Sequence, residues 1–255
     1  MSEKLEPSGV VPRMSAVLRG IGDANARGAR LVDLAERTGI ARPTVHRMLK
    51  DLVAEGFVLQ TPAKTYVLGP QMYWLGLSAQ APIANLPAVR NIAQQLAAET
   101  GDTVYVGIRH QAGIRYVLRA EGDFPIRPHL VSVGQFKPFT SSYGGIALLA
   151  TMPDHVVDGA LANIVVDAAD SWAAQQPLEQ KLRGAIGQVR AEGWHHLEGV
   201  VMPNIAGMAA VAPNPDGPAP AVVSVTTIEA RLSRERAESL APALKAAAAR
   251  IAPHL

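Results

Sequence analysis

Two short runs of helical periodicity, separated by three residues, constrain this chain more than any other feature. Residues 31–38 carry Leu31, Leu34 and Ala35 at i, i+3 and i+4, and Gly39 follows as a helix stop. Residues 42–55 carry Val45, Met48, Leu49, Leu52 and Val53 on one face, and Gly56 closes the run. Only Gly39-Ile40-Ala41 joins the two. So tight a joint forces the helices to cross steeply, which is the helix-turn-helix arrangement.

The second of these helices has two chemically distinct sides. Its core side centres near Val45 and Leu52, and the opposite side carries Pro43, Arg47 and Lys50, flanked by Thr44, His46 and Asp51. Pro43 is tolerated because the first helical turn has no internal amide bond to lose. Hydrogen-bond donors and cations directed away from a core are what a DNA major groove accepts. An earlier helix is expected over residues 13–25, with Val17, Leu18 and Ile21 inward. After Gly56, two β-rich runs, Phe57-Val58-Leu59-Gln60 and Thr65-Tyr66-Val67-Leu68, flank a Pro-containing turn and predict a hairpin with Lys64 at its tip. Three helices and a two-stranded wing make a winged helix-turn-helix. Charge agrees: residues 1–70 hold ten basic and seven acidic side chains, and the remainder fourteen and fifteen. A basic excess of this size also occurs on an ordinary solvated surface.

The chain resembles the IclR family of bacterial transcriptional regulators. The resemblance runs through Leu31-Val32-Asp33-Leu34-Ala35-Glu36-Arg37-Thr38-Gly39-Ile40, Ala41-Arg42-Pro43-Thr44-Val45-His46-Arg47-Met48-Leu49 and Tyr66-Val67-Leu68-Gly69-Pro70, and extends over nearly the whole chain. It implies double-stranded operator DNA as partner, a small organic acid effector with aromatic acids included, and a homo-oligomer, either a dimer or a dimer of dimers. The expected DNA-contacting residues are Arg42, Pro43, Thr44, His46, Arg47, Lys50 and Lys64.

The expected organisation is a DNA-binding domain over residues 1–70, a linker helix over 71–84, and an effector-binding and oligomerisation domain over 85–255. The linker is apolar (Met72, Trp74, Leu75, Leu77) and requires a cover, either its own C-terminal domain or a partner chain. The resemblance favours the partner. Beyond it, Asn85 precedes Pro87 as a helix cap, and Val89, Ile92, Ala93, Leu96 and Ala97 form one helical face ending at Gly101. Strands are expected at 103–108, 114–118, about 127–133, 207–212 and 221–227, helices at 178–191 and after Ser233. The fold class is therefore α+β, and the resemblance implies a GAF/PAS-like effector-binding domain built on an antiparallel sheet.

The stretch Thr140-Ser141-Ser142-Tyr143-Gly144-Gly145 leads small and hydroxylated residues into an apolar helix. A helix start exposes free amides that can hold a carboxylate, and helix capping is the plainer role for the two serines. The family places its effector pocket here, which implies Ser141, Ser142, Tyr143, Gly144, Gly207, Ser224 and Thr226 as effector-binding residues. A frequent family Cys falls on Gly207, so effector identity does not carry over.

Composition closes off other classes. Cys is absent, which removes disulfides, thiolate nucleophiles and Cys-ligated zinc. No stretch approaches the roughly 20 apolar residues of a membrane span, and residues 1–6 lack a secretion pattern, so a cytoplasmic protein is expected. Ser142 is preceded by Thr140 where a nucleophile elbow needs Gly, and no Walker or dinucleotide-binding glycine pattern occurs. His195 and His196 are adjacent and on a strand would face opposite ways, so they cannot share a metal. No catalytic residue, metal or cofactor is implied. The alternative reading is a small-molecule enzyme with a vestigial helix-turn-helix; a nucleoid-binding structural protein is a third.

Overall fold

A computed structural model describes residues 9–24, 27–79, 81–162, 164 and 178–255. They group into two compact units, Met1–Ala81 and Pro82–Leu255.

The first unit contains α1 (Val10–Asp23), α2 (Leu31–Thr38), α3 (Arg42–Ala54), β1 (Val58–Gln60), β2 (Tyr66–Leu68) and α4 (Pro70–Ser78). Its core joins Val17 and Ile21 of α1, Leu34 and Ala35 of α2, and Val45, Met48, Leu49 and Leu52 of α3. Val53, expected inward, is instead 36% exposed, because the buried face of α3 ends at Leu52. The joint forms as its residues dictate. Gly39 takes the left-handed conformation (φ 71°) and its N–H donates to the Ala35 carbonyl at 3.0 Å. A non-glycine residue there would cost about 1–2 kcal/mol in backbone strain alone. Ile40 is fully buried and plugs the turn. Arg37 staples α1 to α2, reaching Asp23 at 2.9 Å and the Gly20 carbonyl at 3.2 Å. The wing pairs antiparallel, Val58 with Leu68 and Gln60 with Tyr66. Ala29 and Tyr66 exchange two backbone bonds of 2.9 and 2.8 Å, which fixes the wing beside the start of α2. α1 starts earlier than its periodicity indicates, and its expected end at Asn25 lies outside the described residues.

The second unit is one six-stranded antiparallel sheet between two helical layers. Its elements are α5 (Leu86–Thr100), β3 (Thr103–His110), β4 (Gly113–Ala120), β5 (Phe136–Pro138), α6 (Tyr143–Ala150), α7 (Asp154–Ala162), α8 (Leu178–Glu192), β6 (Trp194–Glu198), β7 (Ile205–Val211), β8 (Ala221–Ile228) and α9 (Arg234–Ile251). Strand order is β5-β4-β3-β8-β7-β6. Alternation sorts the side chains. Val104, Val106, Met208, Val223 and Val225 face α5 and α9. Tyr105, Tyr116, Ala209 and Val222 face the layer of α6, α7 and α8. Asn85 caps α5 by accepting from Ala88 N–H at 3.1 Å, and Ser233 caps α9 by accepting from Arg236 N–H at 3.3 Å.

One expected strand is wrong. Residues 127–133 form no regular element, and the fifth strand is Phe136–Pro138. Pro128 has no N–H to give a ladder, and its carbonyl accepts from a side chain, Tyr105 Oη, at 3.1 Å. The linker helix ends at Ser78, sooner than the apolar run suggests.

Candidate functional site

On α3 the two faces separate cleanly. Val45, Met48, Leu49 and Leu52 are buried, whereas Arg42, Pro43, His46, Arg47 and Lys50 are exposed and Thr44 is half-buried. Arg42 makes one long ion pair with Glu36, 3.7 Å. Lys64 is exposed at the wing tip in a left-handed conformation (φ 57°), in a turn closed by Thr61 N–H donating to the Thr65 carbonyl at 2.8 Å. The exposed side of α3 thus presents two guanidiniums, an ammonium and an imidazole to solvent beside the Asp51 carboxylate, with the wing cation carried on the same small unit. Arg37, from the same basic segment, is committed to α1 and adds nothing to that face.

The second group of predicted residues gathers around the start of α6. Ser142 Oγ accepts from Gly145 N–H at 3.1 Å, so the capping role of this serine is realised. Ser141 lies in the 3-10 turn just before it and is half-buried. Tyr143 is buried, and its ring lies on Gly207: a Cβ there would collide with the ring. Its hydroxyl donates to the Ile205 carbonyl at 2.7 Å. Gly144 faces Ser224, whose Oγ is 3.8 Å from the position of a Gly144 Cβ. Ser224 and Thr226 are buried on the α6-facing side of β8. Burial pushes the Tyr116 phenol up to about 12, against the opposing effect of its hydrogen bond with Ser142. Sequence reasoning missed Tyr105, Tyr116 and Arg119 on this same face. The signal was available, since alternation along β3 and β4 places the two tyrosines together.

Two family models match. The IclR helix-turn-helix domain covers residues 11–62, and the bacterial transcriptional regulator IclR C-terminal domain covers residues 83–253. The chain belongs to the IclR family. It is similar to the glycerol operon regulatory protein of Streptomyces griseus, 29% identical over 190 residues that span 71% of this chain and 70% of that one. Among solved structures, an IclR transcriptional regulator from Alicyclobacillus acidocaldarius is 26% identical with a TM-score of 0.74, over 95% of this chain and 97% of that one. An IclR homolog from Microbacterium hydrocarbonoxydans, complexed with 4-hydroxybenzoate, shares the fold at 17% identity and a TM-score of 0.70, covering 95% of this chain and 98% of that one. IclR-family proteins are transcriptional regulators and not enzymes, so the reading as an enzyme with a vestigial helix-turn-helix falls. The chain pairs a DNA-binding helix-turn-helix with an effector-binding domain. No helix among the described residues is long and apolar enough to cross a membrane.

In this IclR-family chain the two histidines of β6 face opposite ways. His195 Nε2 lies 2.9 Å from the Tyr143 carbonyl and His196 Nε2 lies 2.9 Å from the Leu232 carbonyl. A carbonyl only accepts, so each Nε2 carries the proton and donates. Burial holds His195 down to about 4, against the raising effect of the Tyr143 carbonyl, and burial lowers His196 in the same direction. The linkage sign follows. In the unfolded chain His195 gains a proton near pH 6.5, whereas folded it does so only near 4. The folded state therefore loses stability as pH falls from about 6.5 towards 4, by on the order of 3 kcal/mol from His195. Urea midpoints measured across that window should fall with pH, and His195→Gln should remove most of the slope. A slope equal in parent and variant would refute the assignment.

Proposed function

We propose that this regulator binds operator DNA through the exposed side of α3 and the wing tip, and that a small organic acid, aromatic acids included, alters that binding from the α6 face of the C-terminal sheet. The observation that carries the reading is the two-faced chemistry of α3: an entirely apolar buried side, and an opposite side with Arg42, His46, Arg47 and Lys50 in solvent. Arg47 and Lys50 supply base-edge or phosphate contacts, Thr44 and His46 supply adaptable polar contacts, and Lys64 meets a phosphate.

The effector residues in this reading are Ser141, Ser142, Tyr143, Gly144, Gly207, Ser224 and Thr226. Their support is the concentration of buried hydroxyls beneath an otherwise apolar helix, together with the 4-hydroxybenzoate held by the Microbacterium homolog. A homo-oligomer, dimer or dimer of dimers, is supported by α4, where Tyr73, Trp74, Leu75 and Leu77 are between 51% and 63% exposed. Apolar side chains grouped on one short helix are covered most simply by a second copy. Paired heads then read paired half-sites. Residues 1–70, 71–84 and 85–255 serve as DNA-binding, linker and effector domains, and a role on chromosomal operators places the protein in the cytoplasm. The effector acts only through unequal affinity for the DNA-competent and incompetent arrangements.

The test is a gel-shift titration with promoter DNA of the neighbouring operon, with and without a panel of organic acids, beside thermal melts with the same panel. Operator affinity that changes with an acid that also raises the melting temperature supports the reading. Sequence-independent binding unaffected by every acid overturns it in favour of a nucleoid protein.

A further inference from the structure

We propose that Arg119 and Thr103 form the anchor for the effector's carboxylate, with Tyr105 and Tyr116 as the walls for a flat ring. This rests on the effector reading above and names the group that binds. Buried polar side-chain atoms without a partner among the described residues include Thr103 Oγ1 and Arg119 Nε. These two donors flank one residue. Arg119 is the cross-strand partner of Tyr105, and Thr103 precedes Tyr105 by two positions on the same side of β3. Thr103 and Arg119 are therefore diagonal neighbours, with backbones about 7–8 Å apart. One carboxylate accepting two hydrogen bonds of about 2.9 Å bridges such a gap.

The rest of the Arg119 side chain is already fixed. Nη1 lies 2.7 Å from His129 Nδ1, and Nη2 lies 3.0 Å from Glu121 Oε1. Of its three nitrogens, Nε is the one without a partner among the described residues, on a side chain 19% exposed. A guanidinium N–H and a hydroxyl that lack partners in a buried place are jointly satisfied by an acceptor-only group of negative charge. The surroundings favour an aromatic ring on that group. The Tyr105 and Tyr116 rings meet edge to face at 5.6 Å, and the Arg119 guanidinium carbon is 6.0 Å from the Tyr105 centroid. Segment 128–135 reaches this corner: the Pro128 carbonyl accepts from Tyr105 Oη, and Val131 is buried in the same core cluster as both tyrosines. Exclusion of water strengthens a charge-assisted contact here.

The test titrates benzoate, with benzamide and benzyl alcohol as uncharged controls, into the full-length protein by calorimetry and by thermal melt. Benzoate is expected to bind and raise the melting temperature, and the uncharged analogues to bind at least tenfold more weakly. Arg119→Gln should weaken benzoate at least tenfold and Thr103→Val several-fold. Thr103→Val carries the second readout. It removes an unpaired hydroxyl, so its ligand-free melting temperature should equal or exceed that of the parent. Absence of benzoate binding to the parent overturns the anchor, as do equal affinities in parent and variants, or a large drop in the melting temperature of Thr103→Val. The wider effector reading fails separately, only if no organic acid changes operator affinity.

Discussion

Arg47→Ala is expected to lower affinity for a specific operator on the order of 100-fold or more while leaving the melting temperature unchanged. A side chain that reads a base edge contributes about 1–3 kcal/mol of discrimination, and a dimer on a pseudo-palindrome places two copies of it. At about 1.4 kcal/mol per tenfold, the pair falls in that range. The fold is indifferent to the change. Arg47 is exposed, the core side of α3 is formed by Val45, Met48, Leu49 and Leu52, and Ala is at least as good a helix former as Arg. Lys64→Ala is the contrasting case. A wing-tip phosphate contact carries no sequence information, so its loss should weaken all DNA evenly and reduce the salt dependence by about one counterion per protomer. Operator affinity unchanged in Arg47→Ala, measured by gel shift beside a melting curve, would remove α3 from the recognition surface.

Local pattern determined most of what could be read in advance. The α3 face, the Gly39 stop, the Asn85 and Ser233 caps and the hairpin each depend on residues within a turn or two of one another, and each forms from them. The errors have two causes. Residues 127–133 look extended by composition, yet their partners, Arg119 and Tyr105, lie on strands that pair among themselves. Helix α7 was not foreseen, because Asp154–Ala162 buries only Val157 and Leu161 and so shows little periodicity. The candidate ligand face was half legible. The small-residue run into α6 is a contiguous feature, whereas Tyr116 reaches Ser142 of that run only once β4 lies beneath the helix. Gly207 makes the same point: its lack of a side chain has a reason only when the Tyr143 ring, sixty-odd residues earlier, is seen resting on it.

The residue most invisible to local reading predicts the largest effect on stability. Asp102→Ala is expected to lower folding stability by about 3–5 kcal/mol. The Asp102 side chain is fully buried, with Arg231 Nε at 2.8 Å on Oδ1 and Arg236 Nη2 at 2.7 Å on Oδ2. The same two arginines donate to the Thr100 carbonyl at 3.3 and 2.7 Å, and Arg231 lies 4.0 Å over the Phe124 ring. Removing the carboxylate leaves two guanidiniums facing each other across a carbonyl they already share. Their side chains are 30% and 26% exposed, so water relieves part of that repulsion and the lower half of the range is the better expectation. Exposed pairs such as Arg183 with Asp158 should lose far less on the same truncation, because solvent already screens them. Urea unfolding with unchanged m-value would report the difference directly. A double-mutant cycle of Asp102→Ala with Arg236→Ala then separates the pair from simple truncation, and coupling below about 0.5 kcal/mol would show that the buried carboxylate is not what holds α9 to the start of β3.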